Sequence, residues 1–378
     1  MPSTKPTIID LFCGCGGLGL GAELAGFHSL AAVDIDQDLQ SAYRLNFPNT
    51  NVIQADIGLL DRRSWKEIIG DIRPDGIIGG PPCQGFSRIG RRQPNDPRNN
   101  LIGHFFRQIN ELQPYFFLME NVEGILDDGN REILDAGLAT VPGNYKILGP
   151  VRINALDCGA ATSRKRIVII GFDPAYVGNI ELHSLLEEIK HPPTTVREAL
   201  IDLPPPTFEK SNSKNDYTWA KYPSRNLISD YAKHLRSLPP SGLGSQLAID
   251  SLLLGKVSGL MGTKHTEVVV DRFLNTIQGK IEPVSRYPRL NLNGFCPTLR
   301  AGTGSDKGSY QAMRPIHPTE PRVITVREAA RLQGFPDWFL FHPTIWHSFR
   351  MIGNSVSPIM STQLLTAIRK KLERKLAA

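Results

Sequence analysis

No run of apolar residues in this 378-residue chain approaches the roughly 18–20 that a membrane span requires, so a membrane protein is not expected. The opening stretch MPSTKPTIIDLF lacks a basic segment followed by a long apolar one, so a secretory leader is not expected either. Cysteine is sparse, with five residues: Cys13, Cys15, Cys83, Cys158 and Cys296. An odd count, wide spacing and the lack of any Cys-x-x-Cys pair argue against a disulfide framework and against a zinc site. The nine histidines form no His-Glu-x-x-His. A reducing, cytoplasmic protein with no metal is the expectation. No internal repeat is visible, and the charge imbalance is small: 43 Lys and Arg against 37 Asp and Glu, a net charge of +6. That mild basic excess suits a polyanionic partner without requiring one.

Hydrophobic residues make up 40% and charged residues 21%, an ordinary globular composition, and the length suits two domains at roughly 150 residues each. Residues 1–172 alternate apolar runs with helix-length amphipathic stretches. The runs are Ile8–Phe12, Leu30–Val33, Asn51–Ile53, Gly76–Ile78, Tyr115–Met119 and Ile167–Ile170. That alternation predicts an α/β fold, a mainly parallel sheet with helices on both faces. From about residue 173 the texture changes. Pro192-Pro193, Pro204-Pro205-Pro206 and Pro239-Pro240 interrupt it, and 211–226 and 283–310 are rich in Ser, Asn, Gly, Pro and Tyr. A smaller, loop-rich domain is expected there. Helical pattern returns in TVREAARLQGF (325–335) and over 358–377, where KKLERK reads as a solvated helix face rather than a DNA-binding arm.

Five glycines, Gly14, Gly16, Gly17, Gly19 and Gly21, follow the first predicted strand. Glycine lets backbone approach a ligand closely, and a strand, a glycine-rich turn and a helix make a nucleotide-type site at the strand's carboxyl end. Asp10 ends the first strand, Asp34 the second, and Asp56 follows the third. An acid after strand two suits ribose hydroxyls, which NAD and S-adenosylmethionine share; an acid after strand three can accept from an adenine amino group. The competing reading makes Asp34, Asp36 and Asp56 helix N-caps.

Gly79-Gly80-Pro81-Pro82-Cys83-Gln84-Gly85-Phe86-Ser87 follows the fourth strand. Two prolines and flanking glycines present the Cys83 thiol on a rigid backbone, which a core cysteine would not need. Glu120-Asn121-Val122 follows the fifth strand and would bring a carboxylate to the same sheet edge. Thr162-Ser163-Arg164-Lys165-Arg166 precedes the next strand. Arg88–Asn100 is basic and polar, either a solvated loop or one that closes on nucleic acid.

Together these segments resemble the cytosine-C5 DNA methyltransferase family over nearly the whole chain. DLFCGCGGLGLGAELAGF is similar to the family's cofactor motif, GGPPCQGFS to its nucleophile loop and ENVEG to its catalytic-glutamate motif. LDCGAATSRKRIVIIGF resembles the arginine motif, and TVREAARLQGFPDWF and GNSVSP the two closing motifs. Six motifs occur in family order. The chain departs at two points: Thr162 stands where the family usually has Gln, and Cys158 where an aromatic is common.

The resemblance implies an S-adenosylmethionine-dependent methyltransferase of the bacterial restriction-modification type, with a Rossmann-like catalytic domain and a loop-rich target-recognition domain. Cys83 becomes the nucleophile and Glu120 the proton donor at N3. Arg166 becomes the contact to cytosine O2, and Arg164 positions the loop and the DNA backbone. Phe12, Gly14, Gly16, Gly17, Leu18, Asp34, Ile35, Asp56, Ile57, Pro81, Leu101, Asn354 and Val356 would form the cofactor site. Ser87, Arg91, Arg92 and Arg98 would meet DNA after the nucleophile. Arg286, Arg289 and Arg300, with Lys264, His265, Lys307 and Arg314, would read it from the recognition domain. The implied domains are a discontinuous catalytic domain (1–172 and 353–378), a recognition domain (173–322) and a connecting segment (323–352). The implied partners are double-stranded DNA and a restriction endonuclease acting on the same site; a monomer is expected. Three alternatives stand beside this reading: a methyltransferase of tRNA cytosines, a non-catalytic DNA-binding protein on the same fold, and an NAD oxidoreductase suggested by the glycine turn.

Overall fold

The computed structural model describes residues 5–82, 101–208, 217–224, 228–301 and 313–376, with side chains through 372. The strands are β1 (Thr7–Leu11), β2 (His28–Asp34), β3 (Asn51–Gln54), β4 (Gly76–Gly79), β5 (Phe116–Asn121), β6 (Lys146–Asn154), β7 (Thr162–Ser163), β8 (Lys165–Phe172), β9 (Ala220–Lys221), β10 (Lys256–Val257) and β11 (Cys296–Pro297). The α-helices of the first half are α1 (Gly17–Leu24), α2 (Gln37–Asn46), α3 (Arg62–Ile69), α4 (Leu101–Leu112) and α5 (Asp128–Leu138). Those of the second are α6 (Leu182–Glu188), α7 (Val196–Leu200), α8 (Asp230–Leu235), α9 (Gln246–Leu253), α10 (Glu267–Asn275), α11 (Val326–Gln333), α12 (Ile345–Asn354) and α13 (Pro358–Leu376).

Seven strands form one sheet in the order β3-β2-β1-β4-β5-β8-β6. Neighbours from β3 to β5 run parallel, and β8 runs antiparallel to both β5 and β6. The chain winds outward from β1 through β2 to β3, then crosses back to β4. The strand order therefore reverses between β1 and β4, where open α/β sheets leave a ligand crevice at the carboxyl ends. Because β8 is reversed, its first residues lie at that same edge.

Side chains alternate across the sheet as the pleat demands. Ile8, Ile78, Phe116, Leu118, Val168 and Ile170 face one layer with Leu18 and Ala22 of α1, Leu185 of α6 and Leu364, Leu365 and Ile368 of α13. Ile9, Leu11, Ile77, Phe117, Met119 and Ile169 face the other, with Trp65 of α3, Phe105, Phe106 and Ile109 of α4 and Leu134 of α5. The last helix thus returns to the first: Ser361 Oγ donates to the Gly17 carbonyl at 3.1 Å, and Arg369 Nη1 to that of Ala25 at 2.8 Å.

Two parts of the expected domain plan differ from the packing. Val177, Ile180, Leu185 and Ile189, placed in the recognition domain by texture, pack into the sheet core against α13. The stretch expected as a connector is the most enclosed part of the second half, with every residue from Arg322 to Phe341 buried. Its charges are buried because they are paired. The Arg331 guanidinium holds Asp202 through Nη1 and Nη2, both at 3.0 Å, and Asp337 through Nε and Nη2, both at 2.6 Å. Breaking such a network leaves an uncompensated buried charge, at a cost of about 3–5 kcal/mol. No helix of the described residues is long and apolar enough to cross a membrane.

Candidate active site

The glycine turn leaves β1 with three left-handed residues, Phe12 (φ 57), Gly14 (φ 54) and Gly16 (φ 98). A Cβ on Gly16 would lie 2.6 Å from the Phe47 ring, and one on Gly17 2.5 Å from the Val356 carbonyl oxygen, so both positions require glycine. A Cβ on Gly14 would meet nothing within 4 Å, so the turn is open on that side. Closing residues reach this turn from the far end of the chain: Cys15 Sγ lies 3.0 Å from Ser355 Oγ, and Gln333 Nε2 donates to the Ser355 carbonyl at 2.8 Å. Asn354, between them, is exposed.

The three acids separate by their hydrogen bonds. Asp36 is the N-cap of α2, accepting from Leu39 N at 3.1 Å. Asp56 caps the short 3-10 turn Ile57–Leu59, accepting from Gly58 N at 2.8 Å. Asp34 caps no helix. Its Oδ2 accepts from Gly14 N at 2.8 Å and its Oδ1 from Asp36 N at 2.9 Å, which ties the β2 end to the glycine turn and leaves each oxygen a further lone pair. Burial raises the Asp34 carboxyl above its ordinary pKa, while those amide donors pull it down. Beside it Ile35 is 67% exposed, an apolar surface at the crevice rim. Two of the expected cofactor residues have their side chains in the core: Leu18 packs in the α13 layer and Ile57 in the α4 layer. Leu101 begins α4 and is half-buried.

At the next strand ends, Glu120 and Arg166 meet. Arg166 Nε stands 2.6 Å from Glu120 Oε1, both side chains about nine-tenths buried. The contact is an ion pair without hydrogen-bond alignment, since Oε1 has no hydrogen-bond partner; Arg166 Nη1 donates to the Lys165 carbonyl at 2.7 Å. A Cβ on Gly80 would lie 3.1 Å from Glu120 Oε2, so the chain leading to Cys83 passes close over this carboxylate. Asn121, to which the motif reading assigned no role, clamps that chain. Its Nδ2 donates to the Pro81 carbonyl at 3.0 Å while its Oδ1 accepts from Val122 N at 2.8 Å. An amide directly after the acid was the available signal.

Arg164 is enclosed. It is 2% exposed, donating through Nη1 to the Leu299 carbonyl (3.2 Å) and through Nη2 to that of Gly353 (3.0 Å). Among the described residues no carboxylate is bonded to it, and burial, with the neighbouring Arg166 cation, pushes its pKa well below the usual value. It positions backbone on both sides of the site. Thr162, in the place of the family's Gln, is fully buried, and its hydroxyl donates to the Cys296 carbonyl at 3.3 Å, across the β7–β11 pairing.

The expected DNA-reading set divides. Arg289 is a structural residue: its guanidinium donates to the carbonyls of Pro318, Phe273, Leu274 and Thr276 and is 9% exposed. His265 is half-buried with its ring 5.1 Å from that of Phe273, and Arg314 lies over the Phe349 ring at 4.9 Å. Lys264, Arg286 and Arg300 are exposed. Cys83, Ser87, Arg91, Arg92, Arg98 and Lys307 lie outside the described residues. The other four cysteines are buried free thiols. Burial pushes those of Cys15, Cys158 and Cys296 up to about 12 and raises that of Cys13 well above the ordinary value.

A sheet with this order and one reversed strand, a glycine turn bound to an acid after strand two, and an acid–arginine pair at the next strand ends define a Rossmann-like methyltransferase fold of the S-adenosylmethionine-dependent class. The model of the C-5 cytosine-specific DNA methylases matches residues 6–373. The chain belongs to that family and is a DNA (cytosine-5-)-methyltransferase. It is 42% identical to the type II methyltransferase M.XorII of Xanthomonas oryzae pv. oryzae, covering 98% of this chain and 87% of that protein. It is 32% identical to the type II methyltransferase M.DdeI of Desulfomicrobium norvegicum, over 96% and 88%. Among solved structures it matches a protein described as a DNA modification methyltransferase encoded within an E. coli prophage. That match has a TM-score of 0.86 at 41% identity and covers 98% of this chain and all of that one. The Dnmt2 methyltransferase of S. pombe shares the fold, with a TM-score of 0.60 at 16% identity over 97% and 99%.

Proposed function

We propose that the enzyme takes its methyl group from S-adenosylmethionine and places it on C5 of a flipped-out cytosine within one duplex sequence, through a covalent bond between Cys83 and C6. The observation that carries this is the Glu120–Arg166 pair at 2.6 Å, held beneath the strand end that leads through Pro81 and Pro82 to Cys83. Cytosine C5 is a weak nucleophile, and addition of a thiolate at C6 turns the ring into an enamine. The acid at N3, Glu120, removes the charge that builds up there during attack, and Arg166 holds both that carboxylate and O2. The four remaining cysteines are buried thiols with raised pKa values, which supports Cys83 as the nucleophile, since the thiolate is the reactive form. A thiol cannot reach C6 inside a base stack; methyltransferases are themselves a standing example of base flipping.

S-adenosylmethionine, when bound, supplies an electrophilic methyl group. The residues present fit it. Asp34 has lone pairs for ribose hydroxyls, Ile35 offers an apolar face to the adenine, and the open side of Gly14 admits a ligand against the turn. Phe12, Gly16, Gly17, Asp56, Pro81, Leu101, Asn354 and Val356 complete the site, with Leu18 and Ile57 contributing backbone. Exposed Lys264, Arg286 and Arg300 would meet duplex DNA from the recognition segment, and Ser87, Arg91, Arg92 and Arg98 from the loop after Cys83. The names of its relatives, type II methyltransferases, support a place in a restriction-modification system, and in this proposal the enzyme acts as a monomer beside an endonuclease reading the same site. Tritium transfer from labelled cofactor to duplex DNA and to tRNA, followed by bisulfite sequencing, tests the proposal. Label in duplex cytosines at one recurring sequence is expected; label in tRNA alone would overturn it.

A further inference from the structure

Helix α12 touches both cofactor-facing turns. Its carboxyl end meets the glycine turn, where Cys15 Sγ lies 3.7 Å from the Met351 carbonyl and 3.0 Å from Ser355 Oγ. Its middle meets the turn after β2. There the Arg350 guanidinium pairs with the Asp36 carboxylate, 314 residues away in sequence. One turn earlier, His347 Nδ1 lies 3.7 Å from Asp38 Oδ2. The Arg350 guanidinium also lies 5.9 Å from the ring of Trp346, a cation–π contact that limits its rotamers.

Asp36 is central to that turn. Its backbone N–H donates to Asp34 Oδ1, and its side chain caps α2 at Leu39 N. Ile35, between the two acids, is fastened by Gln54 Nε2, which donates to its carbonyl at 3.3 Å. The Arg350 and Asp36 side chains are 28% and 22% exposed, so their pair is less screened than a surface ion pair. A pair between distant segments fixes their separation, and the segments fixed here carry Asp34 and Ile35 on one side and Asn354 on the other.

We propose that the Arg350–Asp36 ion pair is a latch that holds the Asp34–Asp36 turn against α12 in the form that binds the cofactor's adenosine, making Arg350 a positioning residue for cofactor affinity. This rests on the reading of the crevice as an S-adenosylmethionine site. Arg350 touches neither reacting atom, so its effect falls on binding and not on the chemical step.

The test uses the full-length enzyme with Arg350→Gln, Arg350→Lys, Asp36→Asn and the Gln/Asn double variant. Asp36→Asn keeps a side-chain oxygen to cap α2 and removes only the charge. Calorimetric Kd and kinetic KM for S-adenosylmethionine are measured together with kcat and KM for duplex DNA. Arg350→Gln and Asp36→Asn should each weaken cofactor binding about three- to tenfold, with kcat at saturating cofactor within about twofold of wild type and KM for DNA unchanged. Arg350→Lys should recover most of the loss, and the double variant should be no worse than either single one. Unchanged cofactor affinity in both single variants, additive defects, or a loss confined to kcat or to stability would overturn the latch. Wild-type enzyme that bound no S-adenosylmethionine would instead overturn the reading of the crevice.

Discussion

Arg164→Met probes how the two halves of the molecule are held together. The wild-type guanidinium is fully enclosed and spends its donors on two backbone carbonyls, Leu299 at 3.2 Å and Gly353 at 3.0 Å. Leu299 immediately precedes Arg300, proposed to meet DNA, and Gly353 precedes Asn354, proposed to line the cofactor site. Each charge-assisted bond contributes about 1.5–3 kcal/mol, and a buried carbonyl left without a donor costs about 1–3 kcal/mol. Against this stands the desolvation of a guanidinium with no carboxylate bonded to it, several kcal/mol that methionine recovers. The two sides nearly offset, and a net loss of about 1–3 kcal/mol remains, in the range of ordinary core substitutions. Urea unfolding should show that loss. Because both carbonyls lose their anchor together, S-adenosylmethionine and DNA affinities should fall together, each about fivefold or more, which 1 kcal/mol or more implies. Arg164→Lys, with a single donor head, should fall between wild type and the Met variant. An Arg164→Met enzyme within 0.5 kcal/mol of wild type on the ~0.5 kcal/mol scale of neutral substitutions, with both affinities intact, would refute the clip.

Asp34→Ala should weaken S-adenosylmethionine binding about tenfold or more, by loss of roughly 1.5–3 kcal/mol of charge-assisted bonding; calorimetry showing unchanged affinity would remove it from the cofactor site. Arg289→Ala should destabilise the fold by about 2–5 kcal/mol, because four carbonyls lose one donor group. Arg300→Ala should leave the unfolding midpoint in place and weaken DNA binding with a shallower salt dependence; the reverse pattern would exchange the two roles. Thr162→Gln inserts two further heavy atoms into a fully buried site and should cost about 1–3 kcal/mol in stability by overpacking, whereas Thr162→Val, which loses only the hydroxyl's bonding to the Cys296 and Pro297 carbonyls, should cost about 1 kcal/mol. Equal stability of the Gln variant would show that the β7 site has room for the family's residue.

What the sequence made legible follows from periodicity and from motifs at strand ends. The apolar runs became β1 to β5 and β8, and Asp34 at the end of β2 fell beside the glycine turn because a parallel sheet delivers every strand's carboxyl end to one edge. Side-chain direction was not legible. Leu18 and Ile57 lie in segments expected to face the cofactor, and the backbone turns their side chains into the helix layers. Burial of charge was not legible either. Arg289, Arg327, Arg331 and Glu328 are all buried, since each finds a partner: backbone carbonyls for Arg289 and Arg327, Asp202 for Arg331, and Arg322, six residues away, for Glu328. The same blindness hid Arg350, whose partner Asp36 is brought to it only by the closure of the chain on itself.

The central claim is a covalent bond from Cys83 to C6 of the target cytosine. Duplex DNA carrying 5-fluorocytosine at the target tests it most directly. Fluorine at C5 cannot leave as a proton, so the adduct should persist after methyl transfer and survive denaturing electrophoresis. It should form in full yield only with S-adenosylmethionine, and peptide mapping should place it on Cys83. Cys83→Ser should abolish it while binding to unmodified DNA persists, because a serine hydroxyl is far less acidic than a thiol. Cys158→Ala should still form it, since that thiol is buried with its pKa pushed up to about 12. An adduct of wild-type yield in Cys83→Ser, or one mapped to another residue, would contradict the mechanism.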